Sequence, residues 1–341
     1  MSAKSITSHD VAKLAGVARS TVSHVLNGSN SVSLSEETRR KVQEAALALG
    51  YKPNSAALML RKGTTKTVGF LATEAKSLAV DGYIPLLFAG VGEVLRRGGY
   101  HLLLETFDPA QKGNPYAGLV LSRRIDGLLV LSPDPQDAEL RALIESGFPA
   151  VMIGSTGLPG EVSVSTRIGT SMAQAVDHVV SLGHRRIGCI PFSPAGFPAS
   201  DARTGMLAAL LADRGLGLDA DAVEHAEFSA ESGHAAARAL LARRPDLTAV
   251  FAGNDTIALG AIGGAAAEGR AVPGDLSVVG FDDLPFAAHM HPALSTIRQD
   301  AMAQGRQAAE ALTRLLSGTA PETRSHVSES TFIARGSTGP A

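Results

Sequence analysis

Apolar positions follow three rhythms in turn along this chain. Between residues 9 and 26 they recur at helical spacing in two short bursts, Val11, Ala12 and Leu14, then Val22, Val25 and Leu26, with Gly16-Val17 between them. In the second burst the apolar residues share one face at i, i+3 and i+4, while Arg19, Ser20, Ser23 and His24 share the other. A glycine suits the tight turn because it takes φ > 0 without steric cost. The spacing is that of a helix–turn–helix, whose polar face can enter a DNA major groove and hydrogen-bond base edges. A plain surface pair of helices is the alternative. A third helix is expected to about residue 49, capped by Ser33 with Glu36 and buried through Val42, Ala45, Ala46 and Leu49.

The second rhythm covers residues 54–62, where Asn54 can cap an Ala/Leu/Met run that Gly63 ends. Two turns are marginal in water, so this helix is expected to form only against a partner. From Thr67 onward the third rhythm begins. Short apolar runs at 68–71, 102–104, 127–131, 150–153, 187–190, 249–252 and 276–280 read as strands. Helical patterns at 86–97, 136–146, 172–182, 203–214, 233–243 and 256–268 separate them. The fold class expected is α/β, a three-helix head plus a body of two doubly wound parallel-sheet halves meeting near residue 165.

Charge sharpens this division. Residues 1–62 carry nine Lys/Arg against four acids, whereas the remainder carries 22 against 29, a balance of −7. A basic head on an acidic body is the distribution expected when the head meets phosphates. The lone Cys189 excludes an internal disulfide and fits a reducing compartment. No apolar stretch nears the roughly eighteen residues of a membrane span, and the polar start lacks a signal-peptide core, so a cytoplasmic protein is expected.

Specific motifs now add a resemblance. Asp10-Val11-Ala12, Ala15-Gly16-Val17, Thr21-Val22-Ser23 and Val25-Leu26-Asn27 are followed by Val32-Ser33, Thr38-Arg39, Leu49-Gly50-Tyr51 and Pro53-Asn54. Later come Leu182-Gly183-His184-Arg185-Arg186-Ile187, Asn254-Asp255 and Val279-Gly280-Phe281-Asp282-Asp283. Together these resemble the LacI/GalR family of bacterial transcription regulators over about residues 9–333. The resemblance implies a DNA-binding domain at 1–52, a hinge helix and linker at 53–66, and an effector-binding and dimerisation body at 67–341. Within the body, 67–165 with 299–325 would form one half, with 166–298 and 326–341 forming the other. Arg19, Ser20, Thr21, His24 and Asn27 would read DNA, with Lys52 and Arg61 beside it and Leu60 wedged into the minor groove, where an apolar side chain can kink a base step. The partners implied are a palindromic operator, a second copy of the chain and a small polar effector such as a sugar; no cofactor or metal is expected.

Ligands of open α/β sheets bind beyond the carboxyl ends of strands. Asn254 and Asp282 stand there, and the resemblance adds Arg203, Phe228 and Gln299 from the second half, with Ser77 and Tyr83 from the first, counted back from Gly99. Some alternatives stay open. Asp255 caps the helix starting at Thr256 or touches ligand, Asp283 can be structural, and Phe228 can be core. His289 and His291 read as loop histidines, without the partners of a metal site. The glycines at 260, 263 and 264 lack the Lys-Ser/Thr of a phosphate loop.

The chain also departs from the family. His24 stands where many relatives have Arg, Ala18 replaces a capping Ser, and the 27–38 interval is two residues longer. Arg167-Ile168 replaces an Asp-Asn pair, so Arg167 either suits an acidic effector or faces solvent. The tail from 324 has no leucine heptad, so a tetramer-forming coiled coil is not expected. A solute-binding protein for a sugar transporter would require a signal peptide and no helix–turn–helix. A sugar- or nucleoside-processing enzyme would require a nucleophile with its base, paired carboxylates or a metal cluster.

Overall fold

The computed structural model of the chain describes residues 6–26, 34–51, 63–73, 75–107, 115–319 and 322–341, in two compact units, Met1–Thr65 and Lys66–Ala341. The smaller unit holds α1 (Ser8–Ala15), α2 (Arg19–Leu26) and α3 (Glu36–Ala48). The Asp10 carboxylate accepts from the Thr7 backbone N–H at 2.8 Å and from its hydroxyl at 2.7 Å, which starts α1; Gly16, at φ 65°, ends it. Val11, Ala12, Val22, Val25, Val42, Ala45 and Ala46 close into one core, while Leu14 faces solvent. The expected cap Ser33 lies outside the described residues. Ser35 caps α3 instead, its Oγ accepting from the Thr38 N–H at 3.3 Å.

The larger unit opens with β1 (Thr67–Thr73), α4 (Ala75–Val80), α5 (Tyr83–Arg97), β2 (His101–Phe107), α6 (Pro115–Leu121), β3 (Gly127–Leu131), α7 (Ala138–Glu145), β4 (Ala150–Ile153) and β5 (Ser163–Arg167). The chain then crosses into a second half. It builds α8 (Gly169–Ser181), β6 (Ile187–Ile190), α9 (Pro198–Ala212), α10 (Ala230–Arg243), β7 (Ala249–Ala252), α11 (Asp255–Ala267), β8 (Ser277–Asp282) and β9 (Ser295–Arg298). It returns with α12 (Ala301–Leu316) and β10 (Ser325–Glu329) before ending through β11 (Thr331–Ile333). One sheet is parallel throughout, in the order β10-β5-β4-β3-β1-β2; the other runs β11-β9-β8-β7-β6, antiparallel only at β11.

The third crossing differs from expectation. Ser325–Glu329 pairs residue by residue with Ser163–Arg167, so the chain leaves the first half at Ser330 and not after 325. β5, β9, β10 and β11 were not expected from apolar runs. Two of them, β10 and β11, are edge strands with little burial, and β9 buries hydroxyls in place of an apolar run. Ser295 accepts and donates through the C-terminal tail, and Thr296 Oγ1 donates to Asp255 at 2.6 Å. A buried polar strand is stable when each such group is bonded.

Glycines bring two helix pairs into backbone contact. A Cβ at Gly90 of α5 would lie 2.0 Å from the Met302 carbonyl oxygen of α12. One at Gly260 of α11 would lie 2.0 Å from that of Ala230 in α10. The glycines at 260 and 264 therefore serve close helix packing.

Candidate functional site

Between the two halves of the body, at the carboxyl ends of their strands, lies a cavity of about 420 Å³. That size is typical of small-molecule sites. Of the residues expected there, Tyr83, Arg203, Phe228, Asn254, Asp282 and Gln299 line it; the side chain of Ser77 lies outside the described residues. Asp81, Ser132, Ser155, Phe192, Phe197 and Gln304 join them without having been expected. Asp81 carried a weak signal as an acid two residues before a helix. Gln304 carried none, because only the return of α12 to the first half brings it to the cavity.

The second half supplies the charged floor. Arg203 was expected to open its helix, but α9 begins at Pro198, which places Arg203 in the second turn. Its guanidinium lies 3.5 Å above the Phe281 ring and 5.0 Å from that of Phe192, and Nη1 donates to the Gly253 carbonyl. Gly253 fits there because a Cβ would come within 2.4 Å of the Phe192 nitrogen. Burial pulls the Arg203 pKa down, and the charge of Asp282 opposes that shift first. Asp282, at φ 110° and 7% exposed, accepts from Gln299 Nε2 at 2.6 Å. Burial raises its pKa well above the usual carboxylate range, with Arg203 pulling the other way.

Asn254 caps α11, its Oδ1 accepting from the Ile257 N–H at 2.8 Å, so its amide NH2 is what it can offer the cavity. Asp255 is consequently not the cap. Fully buried, it accepts from the Leu284 N–H at 2.7 Å and from Thr296, and burial pushes its pKa up to about 7. Gly280 makes room for it, since a Cβ there would sit 2.3 Å from Asp255 Oδ1. Asp283 is structural, paired with Arg298 at 2.6 Å and Arg335 at 2.7 Å. Phe228, at φ 61°, is 5% exposed and meets Phe192 and Phe197 with ring centroids 5.7 and 5.6 Å away. It is core and cavity wall at once.

From the first half, Tyr83 donates its hydroxyl to Gln304 Oε1, and burial raises its pKa. Asp81 accepts from the Tyr83 N–H at 2.9 Å, and burial raises its pKa too. Arg167 is exposed and ion-paired with Glu329 across β5 and β10, which removes it as a partner for an acidic effector; Ile168 lines the cavity in its stead. His289 and His291 are exposed.

In the head, Arg19 and Ser20 are exposed, with Thr21 and His24 half-buried beside them. Arg19 Nε donates to Ser8 Oγ at 2.9 Å, which ties α2 to α1 and leaves the two Nη groups for a partner. Asn27, Lys52, Leu60 and Arg61 lie outside the described residues.

Residues 7–54 match the family described as bacterial regulatory proteins, lacI family, and residues 176–338 match the periplasmic binding protein-like domain. The chain is 35% identical to the HTH-type transcriptional regulator CelR of Thermobifida fusca, covering 95% of this chain and 96% of that one. The chain belongs to the LacI family. The family regulator MalR of Streptomyces coelicolor is 34% identical, over 97% of this chain and 96% of its own. Among solved structures, the CelR–cellobiose complex superimposes with a TM-score of 0.71 at 33% identity, covering 98% of this chain and 100% of that one. The Lac repressor dimer bound to operator and the anti-inducer ONPF superimposes with 0.85 at 26% identity, over the same shares. This LacI-family chain is therefore a ligand-responsive, DNA-binding regulator of transcription. Among its described residues no helix is long and apolar enough to cross a membrane.

Proposed function

We propose that this regulator represses transcription as a homodimer on a palindromic operator and releases or tightens its hold when an uncharged, polyhydroxylated metabolite fills the cleft. The observation that carries the effector class is the setting of the cavity's cation: among the described residues that line it, Arg203 is the one cation, and it is stacked on Phe281, bonded to the Gly253 carbonyl and faced by the carboxyl groups of Asp81 and Asp282. An anionic effector would have to displace those partners to reach the guanidinium. A neutral sugar gains from Asp282, Gln299 and the Asn254 amide, which together offer acceptors and donors, while Phe228, Phe192 and Phe197 offer an apolar wall for a ring face. The relatives support this class, since CelR is solved with cellobiose and an Enterococcus faecium family member with ribose.

On the DNA side, Arg19, Ser20, Thr21, His24 and Asn27 read base edges, and Lys52 and Arg61 contact phosphates. Segment 54–62 folds on the minor groove with Leu60 as the wedge. A dimer follows because one recognition helix reads only a half-site. Both signs of response fit, because an effector acts only by favouring one state of the cleft.

The experiment is anisotropy on the gene's own upstream DNA with a panel of cellobiose, maltose, ribose and gluconate. A neutral sugar is expected to shift the binding curve and to raise thermal stability by about 2.7 kcal/mol at a hundred times its Kd. A response to gluconate alone would overturn the effector class. Leu60→Gly is expected to lose specific operator binding with effector affinity intact; unchanged operator binding would overturn the hinge reading.

A further inference from the structure

We propose that the face of the body where β1, β2 and β3 begin is a second contact for the DNA backbone, separate from the head. The three strand starts are held together tightly. The His101 N–H donates to the Lys66 carbonyl at 2.8 Å, the Asp126 N–H to that of Thr67 at 2.8 Å, and the Lys66 N–H to Asp126 Oδ2 at 2.8 Å. Lys66 Nζ lies 4.1 Å above the Tyr100 ring. The last turn of α5, just before β2, presents Arg96 and Arg97, and the turn before β3 presents Arg123 and Arg124, all exposed. Among the described residues only Arg97 has a carboxylate partner, Glu93 at 2.5 Å. Lys66, Arg96, Arg123 and Arg124, without an ion pair among the described residues, thus gather around the single carboxylate of Asp126 on a body whose overall balance is acidic, a concentration of field that fits a polyanion.

Backbone strain marks the same face. Among the described residues six that are not glycine have φ > 0. Ser132, Phe228 and Asp282 line the effector cavity and Asp283 follows them in the chain. The remaining two are Lys66 and Arg123, both at φ 52° and both in this basic cluster. Glycine or asparagine would sit there at lower cost, so the cationic side chains are kept against a local preference, as at the effector site.

The occupant is DNA because of where the chain comes from. This step rests on the proposed placement of 54–62 in the minor groove. Lys66 follows Lys62 by four residues, a span of at most about 14 Å, so its neighbours lie within reach of phosphates flanking that groove. Arg96, Arg123 and Arg124 contribute positive charge there without reading bases.

The test uses the full chain and anisotropy titrations from 50 to 200 mM salt on two 40-bp duplexes, one from the gene's upstream region and one of random sequence. Combining Arg96→Gln, Arg123→Gly and Arg124→Gln is expected to lower the slope of log affinity against log salt by about 2 to 3, near 0.9 per lost phosphate contact. Affinity at 50 mM should fall at least tenfold on both duplexes. Arg123→Gly alone should melt at the same or a higher temperature, since glycine accepts that φ, while still losing affinity. Should the combined variant not fold, Arg124→Gln alone carries the measurement with a slope change near 0.9. Unchanged slope and affinity in a folded variant would overturn the proposal, as would a loss confined to the upstream duplex. Leu60→Gly, titrated in parallel, reports on the hinge reading alone, because it leaves the four cations in place.

Discussion

The head and the cleft use the same kinds of residue under opposite conditions. Arg19 stands in water on a helix whose other face is a small apolar core, and among the described residues only its Nε is engaged, with Ser8. Arg203 is half-buried, stacked on Phe281, bonded to the Gly253 carbonyl and set against Asp282 and Asp81. A solvated side chain can be exchanged with little consequence for folding, whereas a desolvated charge depends on every neighbour. On the proposed reading, recognition of DNA can therefore vary one residue at a time. The cleft changes only as a network.

Asp255 offers the largest expected effect and tests how far that network governs stability. Its pKa of about 7 in the folded chain lies above the unfolded value, so from about pH 4 to 7 the native state holds a proton that the unfolded state has lost. Its contribution to stability is present below pH 4 and falls away as pH rises through 7, by roughly 4 kcal/mol. Denaturant titrations of Asp255→Asn across this window should lack that decline, because the amide stays neutral and can still bond Leu284 and Thr296. Identical pH slopes for parent and variant would show that Asp255 is not the desolvated acid described above.

Gly280→Ala comes next. Its Cβ would meet Asp255 Oδ1 at 2.3 Å, displacing a buried carboxylate, and overpacking of this kind should cost about 3 kcal/mol in chemical unfolding. A variant as stable as the parent would mean that the cleft floor yields more readily than the comparison holds.

Asp282→Asn keeps the oxygen that accepts from Gln299 and replaces the other carboxyl oxygen with an amide NH2. Calorimetry with the sugar that proves active should show affinity down by roughly 1–3 kcal/mol, the scale of a buried polar group left without its partner, with DNA binding in its absence unchanged. Normal sugar affinity would remove Asp282 from the site.

The smallest effect expected is in the head. Arg19→Ala should cost about 1 kcal/mol of operator affinity, with melting temperature nearly unmoved because Arg19 is exposed. An equal loss on operator and random DNA would count against base reading, and a melting shift as large as that of Gly280→Ala would dissolve the contrast between the two regions.

Short-range order was legible in the sequence. The α2 boundaries, the apolar strands 127–131, 150–153, 187–190 and 249–252, and the glycine stop at residue 16 follow from periodicity and turn chemistry, which neighbouring residues decide among themselves. The head's apolar faces could be assigned for the same reason, since helical spacing puts Val11, Val22 and Val42 each on the apolar face of its helix, and the three meet in one core. Motif spacing also placed Asn254 and Asp282 at strand ends. What only the tertiary structure decided was partnership across long separations: β10 seated on β5, Gln304 carried to Tyr83, Arg203 over Phe281, and Asp255 taken from the role of cap to hold Leu284 and Thr296. Those pairings depend on desolvation and on close approach through Gly90, Gly260 and Gly280, which exist only once both halves have folded and which no local pattern records.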